Sequence, residues 1–341
     1  MRIGVIGLGR IGAFHARTLA GLDVDLVVTD VVPEVAKEVA DEVGARPVDS
    51  PEELLRLVDG VVIAAATPAH PGLLVAAVDS GVAAFCEKPV AATIDEAVAV
   101  ARRLAGCDER VQIGFPRRFD AGYAAARAAV AGGELGTVHT LRATTLDPGP
   151  PPPAYVAASG GIFRDCAVHD IDAIRWVTGR EVVEVYATGT VHDPVFAEHG
   201  DVDTSAATLT LDDGALAVVS NTRFNPRGYD VRLELHGTVD SIAVGLEDHL
   251  PLRSVEPGAT FPAGTPHSFF MDRFADAFRA ELAAFVELAA GRRESPCTVA
   301  DAVATSWVAE ACAVSLRESR PVRVQELARV ASSPVRAPFR G

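Results

Sequence analysis

Three things are scarce in this chain, and each scarcity removes a class of function. Cysteine is the first. The five thiols, at positions 86, 107, 166, 297 and 312, include no C-x-x-C pair. That scatter argues against a disulfide framework and against a zinc site, and fits free thiols in a reducing compartment. Positive charge is the second. Lys and Arg number 31 against 46 Asp and Glu, a formal net charge of -15. A surface this acidic repels phosphate backbones and anionic bilayers, so neither nucleic acid nor a membrane surface is an expected partner. It also offers an anionic substrate no attraction, which favours a neutral one. Long apolar runs are the third. No stretch of about 18 or more apolar residues stands out, the length a bilayer crossing needs. The short apolar start at 3–6 is interrupted by glycine and has no cleavage site, so it reads as a strand rather than a signal peptide. The cytoplasm is the compartment these exclusions leave.

What is present points to a two-domain globular protein. A chain of 341 residues exceeds one ordinary core. Short apolar runs at 3–6, 26–29, 61–64, 83–86 and 111–113 alternate with helical patterns at 10–20, 33–43, 51–58, 69–79 and 93–104. Strands alternating with helices imply βαβ units and a doubly wound parallel sheet of the Rossmann type, an α/β fold, over residues 1–117. Pro51 and the Thr93-x-x-Glu96 box mark helix starts. From 118 to 330 the rhythm changes. A helix at 120–131, a strand at 137–145, a stiff proline run at 148–153 and a helix at 165–178 precede strands at 182–191, 203–211, 214–221, 229–236 and 239–244. Strands with tight turns between them predict a mainly antiparallel open sheet. Helices at 270–290 and 298–317 follow, and the last of the chain can pack back on the first domain. The tail after 325 is expected to fray.

Four motifs carry chemistry. Gly7-Leu8-Gly9-Arg10-Ile11-Gly12 follows the first strand and opens a helix. Gly7 permits the tight turn, Gly9 lets the backbone approach a pyrophosphate, Gly12 lets helix pack on strand, and the helix N-terminus attracts the phosphates. Asp30 ends the second strand, where a carboxylate accepts from a ribose 2′-OH and repels a 2′-phosphate; this predicts NAD over NADP, although an aspartate here also suits a helix start. Glu87-Lys88-Pro89 follows the strand at 83–86, and ligands of parallel sheets lie at carboxyl strand ends. An ammonium at 88 can steady a reacting oxygen. Finally, Asp165, His169, Asp172 and Trp176 follow one another at helical spacing, with Val168, Ile171 and Ile174 as the apolar stripe. Histidine takes a hydroxyl proton near neutral pH, and a carboxylate one turn away could orient it. The spacing alone fits a capping aspartate and surface charge equally well. No third ligand supports a metal site.

Taken together these residues resemble the family of glucose–fructose oxidoreductase, inositol dehydrogenase and rhizopine catabolism proteins. Thr67-Pro68-x-His70 belongs to the same pattern. The runs Gly114-Phe115-Pro116-Arg117-Arg118-Phe119-Asp120, Asp147-Pro-Gly-Pro-Pro-Pro and Gly228-Tyr229-Asp230 look like those of inositol 2-dehydrogenases. The resemblance implies an NAD-dependent oxidation of a secondary hydroxyl on a small neutral polyol such as myo-inositol, with a scyllo-inositol or aldose dehydrogenase as alternative. A non-catalytic NAD-binding sensor would lack the catalytic trio, which Lys88, Asp165 and His169 match. Gly7, Gly9, Arg10, Ile11, Gly12, Asp30, Thr67, His70, Glu87 and Lys88 are the implied cofactor residues. Arg117, Asp147, Asp172 and Tyr229 are the implied polyol residues. A homo-oligomer, tetramer or dimer, built through the open sheet is also implied. This chain departs from the pattern at Pro116, where relatives often have methionine, and at Leu146, where several have histidine.

Overall fold

The computed structural model describes residues 1–327; the sequence from 328 onward, where fraying is expected, lies outside the described residues. The first sheet holds six parallel strands: β1 (Arg2–Ile6), β2 (Asp25–Thr29), β3 (Arg46–Pro47), β4 (Gly60–Ile63), β5 (Ala83–Glu87) and β6 (Val111–Gly114), in the order β3-β2-β1-β4-β5-β6. The helices between them are α1 (Arg10–Ala20), α2 (Pro33–Val43), α3 (Pro51–Leu55), α4 (His70–Asp79) and α5 (Ile94–Arg103). Local signals act as expected. Pro51 opens α3 behind the Ser50 cap, and Thr93 and Glu96 exchange hydrogen bonds at the start of α5. Strand order reverses between β1 and β4, which puts the carboxyl ends of β1, β4 and β5 around one crevice, the place where such sheets bind ligands.

The second sheet has seven strands: β7 (Val138–Leu146), β8 (Val182–Thr190), β9 (Thr204–Leu211), β10 (Leu216–Thr222), β11 (Asp230–Gly237), β12 (Ser241–Val244) and β13 (Val322–Arg323). Their order is β12-β11-β7-β10-β9-β8-β13, antiparallel except for the central pair β7 and β10. That parallel pair is the structural fact that builds the site, because Leu146 stands opposite Thr222 and the following residues leave the sheet together. The remaining helices are α6 (Ala121–Ala131), α7 (Pro153–Ser159), α8 (Val168–Thr178), α9 (Pro194–Glu198), α10 (Phe270–Arg273), α11 (Ala275–Ala289) and α12 (Val299–Glu318). In β11, Val231, Leu233 and Leu235 are buried, as the alternation with Arg232, Glu234 and His236 predicts.

The end of the chain returns to the first sheet. Leu282, Phe285 and Leu288 of α11 pack with Ile3, Val5 and Phe85 on one face. Val299 and Ala302 at the start of α12 join Leu74, Val100 and Ile113 on the other. Helix α12, though it holds no unbroken apolar run of that length, is long and apolar enough to cross a bilayer by length and composition. It lies largely buried across both cores, which is where a soluble core helix carries such a sequence.

Candidate active site

The glycine loop has the shape a pyrophosphate needs. Gly7 has φ +86°, and a Cβ on it would stand 2.5 Å from the Ala65 Cα. A Cβ on Gly12 would stand 1.8 Å from the Gly7 carbonyl oxygen. Around Gly9 a Cβ meets nothing within 4 Å, so one flank of the loop is open while the other two glycines are pressed into the fold. Helix α1 starts there with no side-chain cap and no acidic residue in its first turn, leaving the N–H groups of Arg10, Ile11 and Gly12 for an anion. The Arg10 guanidinium lies 5.1 Å from the Phe269 ring centroid and 5.8 Å from that of Phe270. Asp30 holds the backbone on both sides of the crossover, and α2 itself starts behind Val32 without a side-chain cap. Its Oδ2 accepts from the Leu8 N–H at 2.6 Å, which fixes the loop, and its Oδ1 accepts from the Val32 N–H at 2.9 Å, which fixes the turn ahead of α2.

Thr67 opens the 3-10 turn Thr67–Ala69 at the carboxyl end of β4. His70 is a different matter from the cofactor contact expected of it. It is buried, with Nδ1 2.8 Å from the Pro89 carbonyl oxygen and Nε2 2.9 Å from that of Ala65. It therefore ties the end of β4 to the Lys88-Pro89 turn, whose peptide is cis. Glu87 likewise turns inward, its Oε1 2.6 Å from Nε2 of the buried His15 on α1. Two side chains thus fasten the lysine segment to the nucleotide half of the crevice.

Lys88 meets Asp165. Its ammonium donates to the Asp165 carbonyl oxygen at 2.8 Å and to Oδ1 at 3.0 Å, so one of its three N–H bonds remains free. The Tyr155 hydroxyl, from α7, donates to the same Oδ1 at 2.8 Å, and Arg223 donates to Oδ2 at 2.7 Å. Burial works against the Asp165 charge, but Lys88 and then Arg223 outweigh it and hold the carboxyl well below the usual range. Burial also works against the Lys88 ammonium; Asp165 outweighs it and keeps the amine above its ordinary pKa.

His169 departs from its expected partner. Among the described residues no hydrogen bond holds its ring; the Phe115 ring meets it edge-on at 5.8 Å. Burial first, then the charges of Lys88 and Arg117, hold its pKa well below the ordinary value, so the imidazole is neutral. The Asp165–His169 pairing expected from the i, i+4 spacing fails for a local reason. Residues Phe163–Ala167 form a π-helical turn ahead of α8, and the wider turn takes Asp165 off the face of His169 and onto Lys88.

The same helix sends Asp172 elsewhere. Its carboxylate forms a buried two-point pair with Arg118, at 2.6 and 2.9 Å, beneath α12, so it is not placed to touch a polyol. Trp176 packs under Arg127 of α6, 4.6 Å from the guanidinium carbon to the ring centroid. Arg117 is also withdrawn from direct contact: it pairs with buried Asp170 at 2.5 Å and donates to Thr145 at 2.7 Å, while Asn221 donates to the other Asp170 oxygen. The buried Tyr229 ring stacks edge-on against Phe274, and its backbone N–H donates to the His267 carbonyl oxygen. Asp147 joins the Lys88–Asp165 cluster through Arg223. Its Oδ2 accepts from Arg223 at 2.6 Å, and burial, partly offset by Arg223, pushes its carboxyl up. Tyr155 and Arg223 escaped the sequence reading, because each acts on partners that only the fold brings near.

Two family profiles match the chain: the oxidoreductase family with an NAD-binding Rossmann fold over residues 1–115, and the GFO/IDH/MocA C-terminal domain over residues 123–243. A curated relative named myo-inositol dehydrogenase Hyg17, from Streptomyces leeuwenhoekii, is 38% identical over 300 residues, 87% of this chain and 90% of its own length. The crystal structure of a myo-inositol dehydrogenase from Corynebacterium glutamicum superposes with a TM-score of 0.87 at 36% identity, covering 95% of this chain and 98% of that one. The structure of scyllo-inositol dehydrogenase from Lactobacillus casei with bound NAD(H) and scyllo-inositol superposes with a TM-score of 0.82 at 29% identity, covering 95% and 99%. With the glycine loop, the crevice at the strand reversal and these matches over almost its full length, the chain belongs to the GFO/IDH/MocA family of oxidoreductases and binds its nicotinamide cofactor through the first sheet.

Proposed function

We propose that this protein oxidises one secondary hydroxyl of a cyclitol to the ketone, with myo-inositol as the leading substrate and NAD as the preferred cofactor. The observation that carries the reading is the pairing of a fixed ammonium with an unbonded, neutral imidazole beside the carboxyl ends of the nucleotide-binding strands. The cofactor, when bound, accepts the hydride. His169 accepts the hydroxyl proton, and the free N–H of Lys88 donates to the reacting oxygen as negative charge gathers on it. Asp165 is the fixed anion that aims Lys88 rather than the group that orients His169. Lys88 and Lys37 are the only lysines in the chain. In a protein that otherwise uses arginine, the compact ammonium at 88 fits the need for a movable donor at a single oxygen.

A neutral substrate follows from local charge as well as from the acidic surface. Lys88 and Arg223 are balanced by Asp165 and Asp147, and Arg117 by Asp170, so this cluster offers no surplus charge. Asp147 has one oxygen not used by Arg223, which suits it to accept from a substrate hydroxyl. On the exposed face of the second sheet, Tyr186, Leu216 and Val218 present apolar surface, and we read this face as the contact between copies in a dimer or tetramer. The five free thiols fit a cytoplasmic setting.

A screen of myo-inositol, scyllo-inositol and aldoses, followed by NADH or NADPH absorbance, tests the proposal. Turnover of a cyclitol with NAD is the expected result, and silence with every polyol would overturn the reading. Asp30 decides the cofactor. Asp30→Ser keeps an acceptor near the Leu8 and Val32 N–H groups but removes the charge. It should narrow the NAD-over-NADP preference in kcat/KM by roughly tenfold or more, the size of one lost charge-assisted hydrogen bond. An unchanged ratio would remove Asp30 from cofactor selection.

A further inference from the structure

The register of the second sheet brings an arginine into the crevice that the reaction as described does not use. Because β7 and β10 run parallel with Leu146 opposite Thr222, Asp147 and Arg223 emerge side by side. Arg223 is 5% exposed. One terminal nitrogen donates to Asp147 Oδ2 at 2.6 Å, the other to Asp165 Oδ2 at 2.7 Å, and Nε is buried with no partner among the described residues. Asp147 begins the proline run, and Asp165 follows the helix α7 that ends it. A single guanidinium therefore closes the segment 147–165 on itself, with the Tyr155 hydroxyl as a second tie to Asp165.

We propose that Arg223 is a positioning residue of the dehydrogenase: it locks Asp165 in the orientation that aims Lys88, and it binds the polyol-facing Asp147 to that same carboxylate, so that loop and lysine are set as one unit. The inference rests on the cyclitol dehydrogenase reading and deepens it. A guanidinium is suited to this because its planar fork serves two carboxylates at once, which an ammonium at the same place cannot do from one fixed geometry.

The charge of Arg223 acts in one direction on every titrating group nearby. It faces Asp147 after β7, Asp165 and Cys166 on the π turn, and stands within electrostatic reach of His169; Lys88 and Arg117 are the other cations about this cluster. Burial raises the carboxyls of Asp147 and Asp165, and Arg223 opposes it; burial lowers His169, and Arg223 adds to the lowering. All three work deprotonated. Loss of the cation moves all three pKa values up, so activity must fail at a higher pH than in the parent.

Arg223→Gln and Arg223→Lys test the idea, with kcat/KM for the best polyol followed against pH and NAD binding followed by tryptophan fluorescence. Arg223→Gln should lower kcat/KM by about 10²-fold and shift its acid limb up by about one pH unit or more, with the NAD Kd within about twofold of the parent. Arg223→Lys should keep the acid limb near that of the parent yet recover only part of the rate, about tenfold below the parent, because one ammonium leaves one carboxylate untied. A wild-type profile in Arg223→Gln overturns the inference. If that variant does not fold, a wild-type kcat/KM in Arg223→Lys overturns it equally. A parent that oxidises no polyol overturns the dehydrogenase reading itself, and the two failures are thereby distinct.

Discussion

Replacing His169 by alanine should cut kcat by about 10²–10⁴-fold, the usual contribution of a positioned general base, while NAD binds within about twofold of the parent. The assignment rests on what each neighbouring group can do. Asp165 accepts from Lys88, Tyr155 and Arg223 and is held low, so it is a fixed anion with no affinity for a further proton. Tyr155 is pushed up to about 12, chiefly by burial, and donates its proton to Asp165. Lys88 is an ammonium held above its ordinary pKa. His169 alone stands neutral and unbonded among them. The sign of its shift fixes the pH dependence. A base that works deprotonated and whose pKa lies below the ordinary 6.5 stays competent throughout the neutral range. In the parent the acid limb of kcat/KM due to this residue should therefore appear well below pH 6.5. His169→Ala should lose that limb along with the rate. A variant that retained full activity on every polyol the parent oxidises would move the base elsewhere.

The parts of this site legible in the sequence were those set by neighbours in the chain. Gly7, Gly9 and Gly12 announce their purposes because a tight turn, an open flank and a helix contact are fixed by five consecutive steps of backbone. Lys88 could be placed because it ends a buried strand, and carboxyl strand ends of a parallel sheet face the ligand. The strands and helices themselves were readable for the same reason, since burial on both faces or on one leaves its period in the sequence. What failed was anything decided across the fold. The shared face of Asp165 and His169 assumes an unbroken α-helix, and the π turn at Phe163–Ala167 breaks it, while Asp172, on the same α8 as His169, is claimed by Arg118. His70 reads as a cofactor residue until its two carbonyl partners are seen. Arg223 lies 58 residues from Asp165 and 76 from Asp147, and only the unusual parallel pairing of β7 with β10 inside an antiparallel sheet unites them. An arginine at the end of an apolar strand carries no mark of that role.

Asp172 offers the sharpest separation between a role inferred from resemblance and a role seen in the fold. Its carboxylate and the Arg118 guanidinium are almost fully buried together, and Arg118 donates further to the Pro296 carbonyl oxygen at the start of α12. The pair thus ties the 3-10 turn Pro116–Phe119 to α8 and to the segment leading into α12. Removing Asp172 leaves the buried Arg118 cation with only the Pro296 carbonyl and a longer, 3.4 Å contact to Asp301. Asp172→Ala should therefore cost about 3–5 kcal/mol. Against a total of roughly 5–15 kcal/mol for an ordinary domain, that is a large fraction, and the urea midpoint followed by circular dichroism should drop accordingly. Folded protein, stabilised with saturating NAD, should keep a KM for the polyol within a few-fold of the parent. The second substitution decides the cause. Adding Arg118→Met to Asp172→Ala removes the stranded cation and fills its space with apolar atoms, so part of the lost stability should return. A direct polyol contact predicts the opposite pattern: an almost unchanged midpoint, a large rise in KM, and no rescue by Arg118→Met.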